Sequence, residues 1–177
     1  MINPALDAAD LRILKLLQED ASRSIQALAQ AAHLSPATCH RRLQRLHQQG
    51  LVERTVALLN AERLRALSGQ GLDTVIEVSL DEQAQEKLDA FEHKATRCEE
   101  VMQCWRVSGG PDFILMVHVT DMAAYNRFTQ ALLGDDLNVR NVRAFFCTRR
   151  AKFSTAYPLP GGTAPTAAPT AAPSAAR

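Results

Sequence analysis

The stretch from Ser35 to Gly50 has the clearest helix boundaries in the chain and constrains the fold more than any other feature. Ser35 can cap free backbone amides, Pro36 suits the first helical position, and Gly50 is the usual residue just past a helix end. At about 100° per residue, three apolar side chains fall on one side: Cys39, Leu43 and Leu46. The pattern predicts an amphipathic helix with one buried side.

The opposite side of this helix is polar and basic, and it carries Ala37, Thr38, Arg41, Gln44 and Arg45. Small and hydroxyl residues at the front of a helix, followed by guanidinium groups, suit entry into a DNA major groove. Because no acidic residue occurs between Asp20 and Glu53, we expect a polyanion to meet no carboxylate on this face. A solvated basic face gives the same pattern, so this helix alone leaves both interpretations open.

Two further helices are predicted upstream. The spacing of leucine and isoleucine predicts a first helix that starts at Asp7 or Asp10, and Ser24 is placed to cap a second. A short turn at residues 33–34 then leads to Ser35, which gives the helix-turn-helix arrangement. Residues 51–59 alternate weakly and predict a strand or wing. A helical turn follows at 60–64, and the linker between domains is expected at 68–71.

Composition indicates a globular protein, with 46% hydrophobic and 22% charged residues. Residues 1–67 hold nine Lys/Arg and six Asp/Glu, whereas the remainder holds eleven and thirteen, so the net charges are +3 and −2.

Because no basic leader with an apolar run is present, we expect a cytoplasmic protein without a membrane segment. The four cysteines are dispersed and predict neither disulfides nor a zinc site. His40 and His47 lack converging ligands, which favours phosphate contact or solvation over metal binding.

The second half follows a strand–helix–strand–strand–helix–strand order. Strands are predicted at 72–80, 101–108, 113–120 and 139–152, with helices at 81–98 and after Asp121. Gly109-Gly110-Pro111-Asp112 is a strong turn between the two middle strands. This order predicts an α+β protein in which a winged helix-turn-helix domain precedes a ferredoxin-like, ACT-like βαββαβ domain.

Both alternating sets of side chains in residues 113–119 are largely apolar, and residues 142–147 behave similarly. A sheet with one face in water alternates more cleanly, so we expect a second copy of the chain to cover this face in an obligate dimer. Residues 158–177 are rich in Pro, Ala and Thr and predict a disordered tail. The expected domains are therefore 1–67 and 68–157, followed by the tail.

Several short motifs closely resemble the leucine-responsive/asparagine regulator (Lrp/AsnC) family. In the first domain they are Leu34-Ser35-Pro36, Arg42-Leu43, Arg45-Leu46 and Ala57-Leu58-Leu59-Asn60; in the second they are Val107-Ser108-Gly109, Asp112, Asp121-Met122 and Ala124-Tyr125. The resemblance covers roughly residues 5 to 155. It implies a bacterial or archaeal transcription regulator that pairs through its ferredoxin-like domains, often forms tetramers or octamers, and senses a small amino acid.

By position, the resemblance implies an effector site between dimers, formed by Gly109, Gly110 and Asp112, with Met122, Phe145 and Phe146 nearby. Glycine amides can bind a carboxylate, an aspartate can meet an ammonium group, and apolar neighbours can hold a side chain. The same four residues also make a plain turn capped by Asp112. Many relatives have an aromatic residue where this chain has Pro111, which leaves the identity of the effector open.

For DNA, Arg41 and Arg45 are expected to contact bases or phosphates, while Ser35 and Thr38 set the helix in the groove. Arg42 lies nearer the core edge, which favours phosphate; Pro36, Ala37 and Gln44 complete the predicted surface. No cofactor and no enzymatic activity are expected. Two alternatives stay open: a DNA-organising protein without an effector, and a subunit similar to sirohaem decarboxylase. The second would use His118 and Arg106, but it lacks a partner acid.

Overall fold

The computed structural model describes residues 6–69, 71–134 and 138–160. The described residues divide into two compact units, one formed by residues 6–57 and 152–160 and the other by the described part of residues 58–151. We call them the helical unit and the sheet unit.

The helical unit contains α1 (Ala8–Glu19), α2 (Ile25–Ala31) and α3 (Pro36–Gln48). Asp7 begins α1, where its carboxylate accepts from the backbone N–H groups of the second and third helical residues. Ser24 and Ser35 cap the next two helices through their hydroxyls, and Gly50 follows α3 in the left-handed region at φ +70°. The predicted caps are confirmed because each places an acceptor against amides that lack a helical partner.

The core of this unit is formed by side chains from all three helices. They are Ile13, Leu14, Leu28, Ala29, Ala32, Cys39 and Leu46. Small residues at the contact between α2 and α3 let these helices approach closely, and the short turn between them contains His33 at φ 56°. The predicted helix-turn-helix is therefore present.

The wing predicted at residues 51–59 is wrong, since none of the residues from Leu51 to Asn60, all of them described, pairs with a strand. Val56, Leu58 and Leu59 are 62%, 61% and 72% exposed, so both alternating sets of side chains lack a sheet to pack on. The turn predicted at 60–64 extends instead into α4 (Ala61–Ser68), which Asn60 caps and Gly69 ends at φ +66°. Of the predicted linker, Gln70 lies outside the described residues.

The sheet unit contains β1 (Leu72–Leu80), β2 (Val101–Arg106), β3 (Phe113–Val119) and β4 (Val139–Phe146). The strands are antiparallel in the order β2-β3-β1-β4. Helix α5 (Gln85–Ala95) joins β1 to β2, and α6 (Met122–Thr129), continued by a π-helical turn at Gln130–Gly134, joins β3 to β4. The predicted ferredoxin-like arrangement is confirmed.

Both helices pack on one face of the sheet. Phe91 and Phe128 from the two helices meet Ile76, Leu115 and Val117 from the central strands, and all five are at least 96% buried. Strand β1 has the predicted bounds, whereas the other three strands and α5 are shorter than predicted. Helix α5 begins at Gln85 rather than at residue 81, and no side chain caps its first turn.

The other face of the sheet carries apolar side chains outside this core: Val75, Trp105, Ile114, Met116 and Phe145. Trp105 is 58% exposed and Phe145 is 44% exposed. We call this surface the open face.

The domain boundaries differ from the predicted ones. Helix α4 belongs to the sheet unit, where Arg65 pairs with Asp73 of β1 at 3.0 Å. Residues 152–160 belong to the helical unit, because Gln18 of α1 donates to the carbonyl of Tyr157 at 3.2 Å and Leu159 packs against the helical core. Within the predicted tail, Leu159 is therefore packed, and residues 161–177 lie outside the described part of the chain. Within the described residues, no helix has the length and apolar character that a membrane span requires.

Candidate nucleic-acid interface and effector site

Helix α3 presents an exposed stripe opposite its buried side. Cys39 and Leu46 are fully buried, whereas the stripe contains Ala37, His40, Arg41, Gln44, His47 and Gln48. At its front end Ser35 and Pro36 are exposed, and the Ser35 hydroxyl donates to Thr38 Oγ1 at 2.9 Å. His40, for which the sequence left phosphate contact or solvation open, lies on this stripe, because it is three residues from Ala37 and four from Gln44.

Unlike Arg41, Arg42 and Arg45 are bound by acidic side chains at the start of α1. Arg42 Nη1 donates to Asp7 Oδ2 at 2.7 Å and to Asp10 Oδ1 at 2.9 Å, while Arg45 Nη2 donates to Asp10 Oδ2 at 2.5 Å. The expectation of a face without carboxylates is therefore wrong. The sequence interval between Asp20 and Glu53 is free of acids, but the fold brings two from α1.

The charges in this cluster are held in place by their mutual contacts. The backbone N–H of Asp10 and the guanidinium of Arg42 lower the pKa of Asp7 to about 2. Asp7 and Asp10 in turn raise the pKa of Arg42. The two carboxylates offset the charges of Arg42 and Arg45, whereas Arg41 is exposed and makes no ion pair with any described residue.

The hairpin between β2 and β3 holds three of the predicted effector residues. Gly109 has a φ of +91° with open space beside its Cα, and Gly110 is also open. Asp112 differs, since it is 91% buried and its Oδ2 accepts from the backbone N–H of Leu80 at 2.7 Å. Its own N–H donates to the carbonyl of Val78 at 2.9 Å. Asp112 thus ties the turn to the end of β1.

The other predicted effector residues lie elsewhere in the sheet unit. Met122 begins α6, just after the end of β3 that lies opposite the hairpin. It lines an open depression of about 590 Å³, together with Arg65, Leu72 and Asp121. Phe145 lies on the open face, while Phe146 points to the helix side and meets the ring of Tyr125 at 5.0 Å. Within a single chain, the six residues do not surround one cavity.

The residues of the enzyme alternative are also separated. His118 Nδ1 lies 2.7 Å from Asp73 Oδ1 on the open face, whereas Arg106 on the helix side pairs with Asp89 at 2.6 Å and Glu92 at 2.7 Å. Burial tends to raise the pKa of Asp73, but His118 and Arg65 hold this pKa below its ordinary value. Both His118 and Arg106 are therefore already paired with carboxylates. Among the described residues no three His, Cys, Asp or Glu side chains form a group suited to a metal ion.

A helix-turn-helix unit with an exposed basic stripe, joined to a ferredoxin-like sheet unit, defines the class of two-domain DNA-binding proteins. Residues 6–47 match the AsnC-type helix-turn-helix domain, and residues 73–157 match the Lrp/AsnC ligand binding domain.

The chain is 32% identical to the DNA-binding transcriptional activator DecR of Escherichia coli K12, over 87% of this chain and 99% of that protein. It is 30% identical to the glutamate uptake regulatory protein of Zymomonas mobilis, over 88% of this chain and 92% of that protein. The solved structure of the transcriptional regulator NMB0573 of Neisseria meningitidis, a complex with L-Met, aligns with a TM-score of 0.78 at 31% identity. That alignment covers 88% of this chain and 98% of the solved one. The chain belongs to the Lrp/AsnC family and is a DNA-binding transcriptional regulator.

Proposed function

We propose that this regulator binds a small amino acid in its sheet unit and that binding changes its affinity for DNA. The observation that carries the proposal is the presence, in one chain, of an exposed α3 stripe and of a hairpin whose glycines, Gly109 and Gly110, have open space beside them. Backbone amides of such glycines suit an α-carboxylate. The names of two similar proteins, a glutamate uptake regulator and a regulator in complex with L-Met, support an amino acid as the effector class.

On the DNA side, Arg41 is the leading candidate for a base or phosphate contact, since its guanidinium is exposed. The front of α3, formed by Ser35, Pro36, Ala37 and Thr38, would set the helix in the major groove, and Gln44 would lie one turn further along. We do not place Arg42 and Arg45 at the interface, because Asp10 pairs with both guanidinium groups.

A second copy of the chain is the proposed occupant of the open face. Trp105, Ile114 and Phe145 present apolar surface there, and burying apolar area is the main favourable term in most protein associations. A dimer would present two α3 helices to half-sites about one helical turn, or a multiple, apart. Assembly of dimers into tetramers or octamers would bring the hairpin of one subunit toward Met122 of another. We place this activity in the cytoplasm and assign it no enzymatic step.

One observation favours a second candidate, a DNA-organising protein that needs no effector. The carboxylate of Asp112 is buried and already engaged by Leu80, so it is less available to an ammonium group than its position in the turn predicts.

A thermal-shift screen of the full chain against the twenty amino acids separates the two candidates. A ligand that binds the native state raises the unfolding temperature by mass action. An effector must also shift DNA affinity, and DNA must shift effector affinity by the same factor. One amino acid that does both supports the proposal. No response from any of the twenty, with salt-dependent binding to every duplex, supports the organising protein.

A further inference from the structure

We infer that Asp10 sets the DNA specificity of this regulator by withholding Arg42 and Arg45 from phosphate. Asp10 is fully buried on α1, and each of its oxygens accepts from one of the two guanidinium groups. Because a buried side chain acts on DNA only through these arginines, Asp10 is a positioning residue. The inference rests on the family's DNA binding and is independent of the proposed effector.

Part of each arginine side chain is buried in the protein, in addition to its contact with an acid. The Nε atoms of Arg42 and Arg45 are buried and have no hydrogen-bond partner among the described residues. The Arg45 side chain is 42% exposed and its one ion-pair partner in the described chain is Asp10, whereas Arg42 is 22% exposed and also holds Asp7. Arg45 is therefore the side chain that Asp10 controls most directly.

Release of Arg45 would add a second free cation close to the exposed stripe, because Arg41 and Arg45 are four residues apart on one helix. Phosphate contacts raise affinity for every duplex, whereas contacts to base edges distinguish sequences. A helix with three free arginines would bind DNA strongly whatever the base sequence. By engaging two of them, Asp10 and Asp7 lower sequence-independent attraction and leave recognition to the stripe.

The test measures binding of the full-length protein to a random-sequence duplex over a range of salt concentrations. Each phosphate neutralised contributes about 0.9 to the slope of log K against log salt. Asp10→Asn should bind the random duplex more tightly and steepen this slope by about one. Glu62→Gln makes the same change in charge at an exposed position on α4 that pairs with no described arginine; it is the matched control and should leave the slope unchanged. Circular dichroism establishes that each variant is folded.

Two further variants keep the inference falsifiable if Asp10→Asn does not fold. Arg45→Met should leave the wild-type slope unchanged, while Arg41→Met should reduce it by about one. In a folded Asp10→Asn background, adding Arg45→Met should restore the wild-type slope. The inference is overturned if folded Asp10→Asn has the slope of Glu62→Gln, or if Arg45→Met alone loses about one unit of slope.

Discussion

Phe145 and Phe146 are consecutive on β4, yet their side chains lie on opposite faces of the sheet. Phe146 pairs across the strands with Thr74 and its ring meets Tyr125 at 5.0 Å on the helix side. Phe145 pairs with Val75 on the open face, where the guanidinium of Arg143 lies 5.3 Å from its ring centroid. The two residues therefore have different surroundings, although the resemblance implies one site for both.

This difference predicts opposite effects from two matched substitutions. Phe145→Ala should weaken self-association, because it removes apolar area from the proposed dimer surface, and should change chain stability little. Phe146→Ala should lower the free energy of unfolding by about 1 kcal/mol through loss of the aromatic contact, and leave self-association intact. Sedimentation equilibrium and urea denaturation measure the two quantities. Equal association constants for wild type and Phe145→Ala would argue against the open face as the dimer surface.

Arg41→Ala should weaken binding to a specific DNA site by about 1–3 kcal/mol if the side chain reads a base. The site can be obtained by selecting bound duplexes from a random pool. Lys15→Ala removes the same charge from an exposed position on α1 and is the control. Fluorescence anisotropy at physiological salt gives both affinities, and an unchanged affinity for Arg41→Ala would remove this residue from the interface.

Two substitutions at Asp112 distinguish a structural role of this residue from a ligand-binding role. Asp112→Ala should destabilise the protein by about 1–3 kcal/mol, since it leaves the buried N–H of Leu80 without its acceptor. Asp112→Asn keeps an acceptor oxygen and should lose less. If the carboxylate also binds an effector ammonium, Asp112→Asn should abolish the thermal shift caused by that amino acid. A folded Asp112→Asn variant with a full thermal shift would restrict Asp112 to holding the turn.

The depressed pKa of Asp7 predicts how the helical unit responds to acid. Its folded pKa of about 2 lies below the usual value near 3.9, so the stabilisation is present at neutral pH. It should be lost as the pH falls from about 4 toward 2. Asp7→Asn keeps a capping acceptor but not the charge, so the stability gap between wild type and variant should close over that range. NMR titration of the Asp7 carboxyl carbon checks the pKa directly, and a midpoint near 4 would contradict the prediction.

Local chemistry explains what could be read from the sequence. A cap such as Ser35, a left-handed glycine such as Gly50 and the turn at 109–112 each depend on a few neighbouring residues, so their pattern was sufficient. The order of strands and helices then left few arrangements, and the ferredoxin-like unit was one of them. The weak alternation of residues 51–59 was insufficient, because a strand requires a partner that this segment does not find among the described residues.

Spacing along the chain was sufficient to predict the helix-turn-helix, the order of the four strands and the apolar character of both sheet faces. Which arginines are free follows only from the folded chain, because the acids that bind Arg42 and Arg45 come from α1, more than thirty positions away. The tertiary structure also decided that Asp112 is engaged by Leu80 and that Phe145 and Phe146 have different neighbours. Contacts between residues distant in sequence depend on packing, and no local pattern records them.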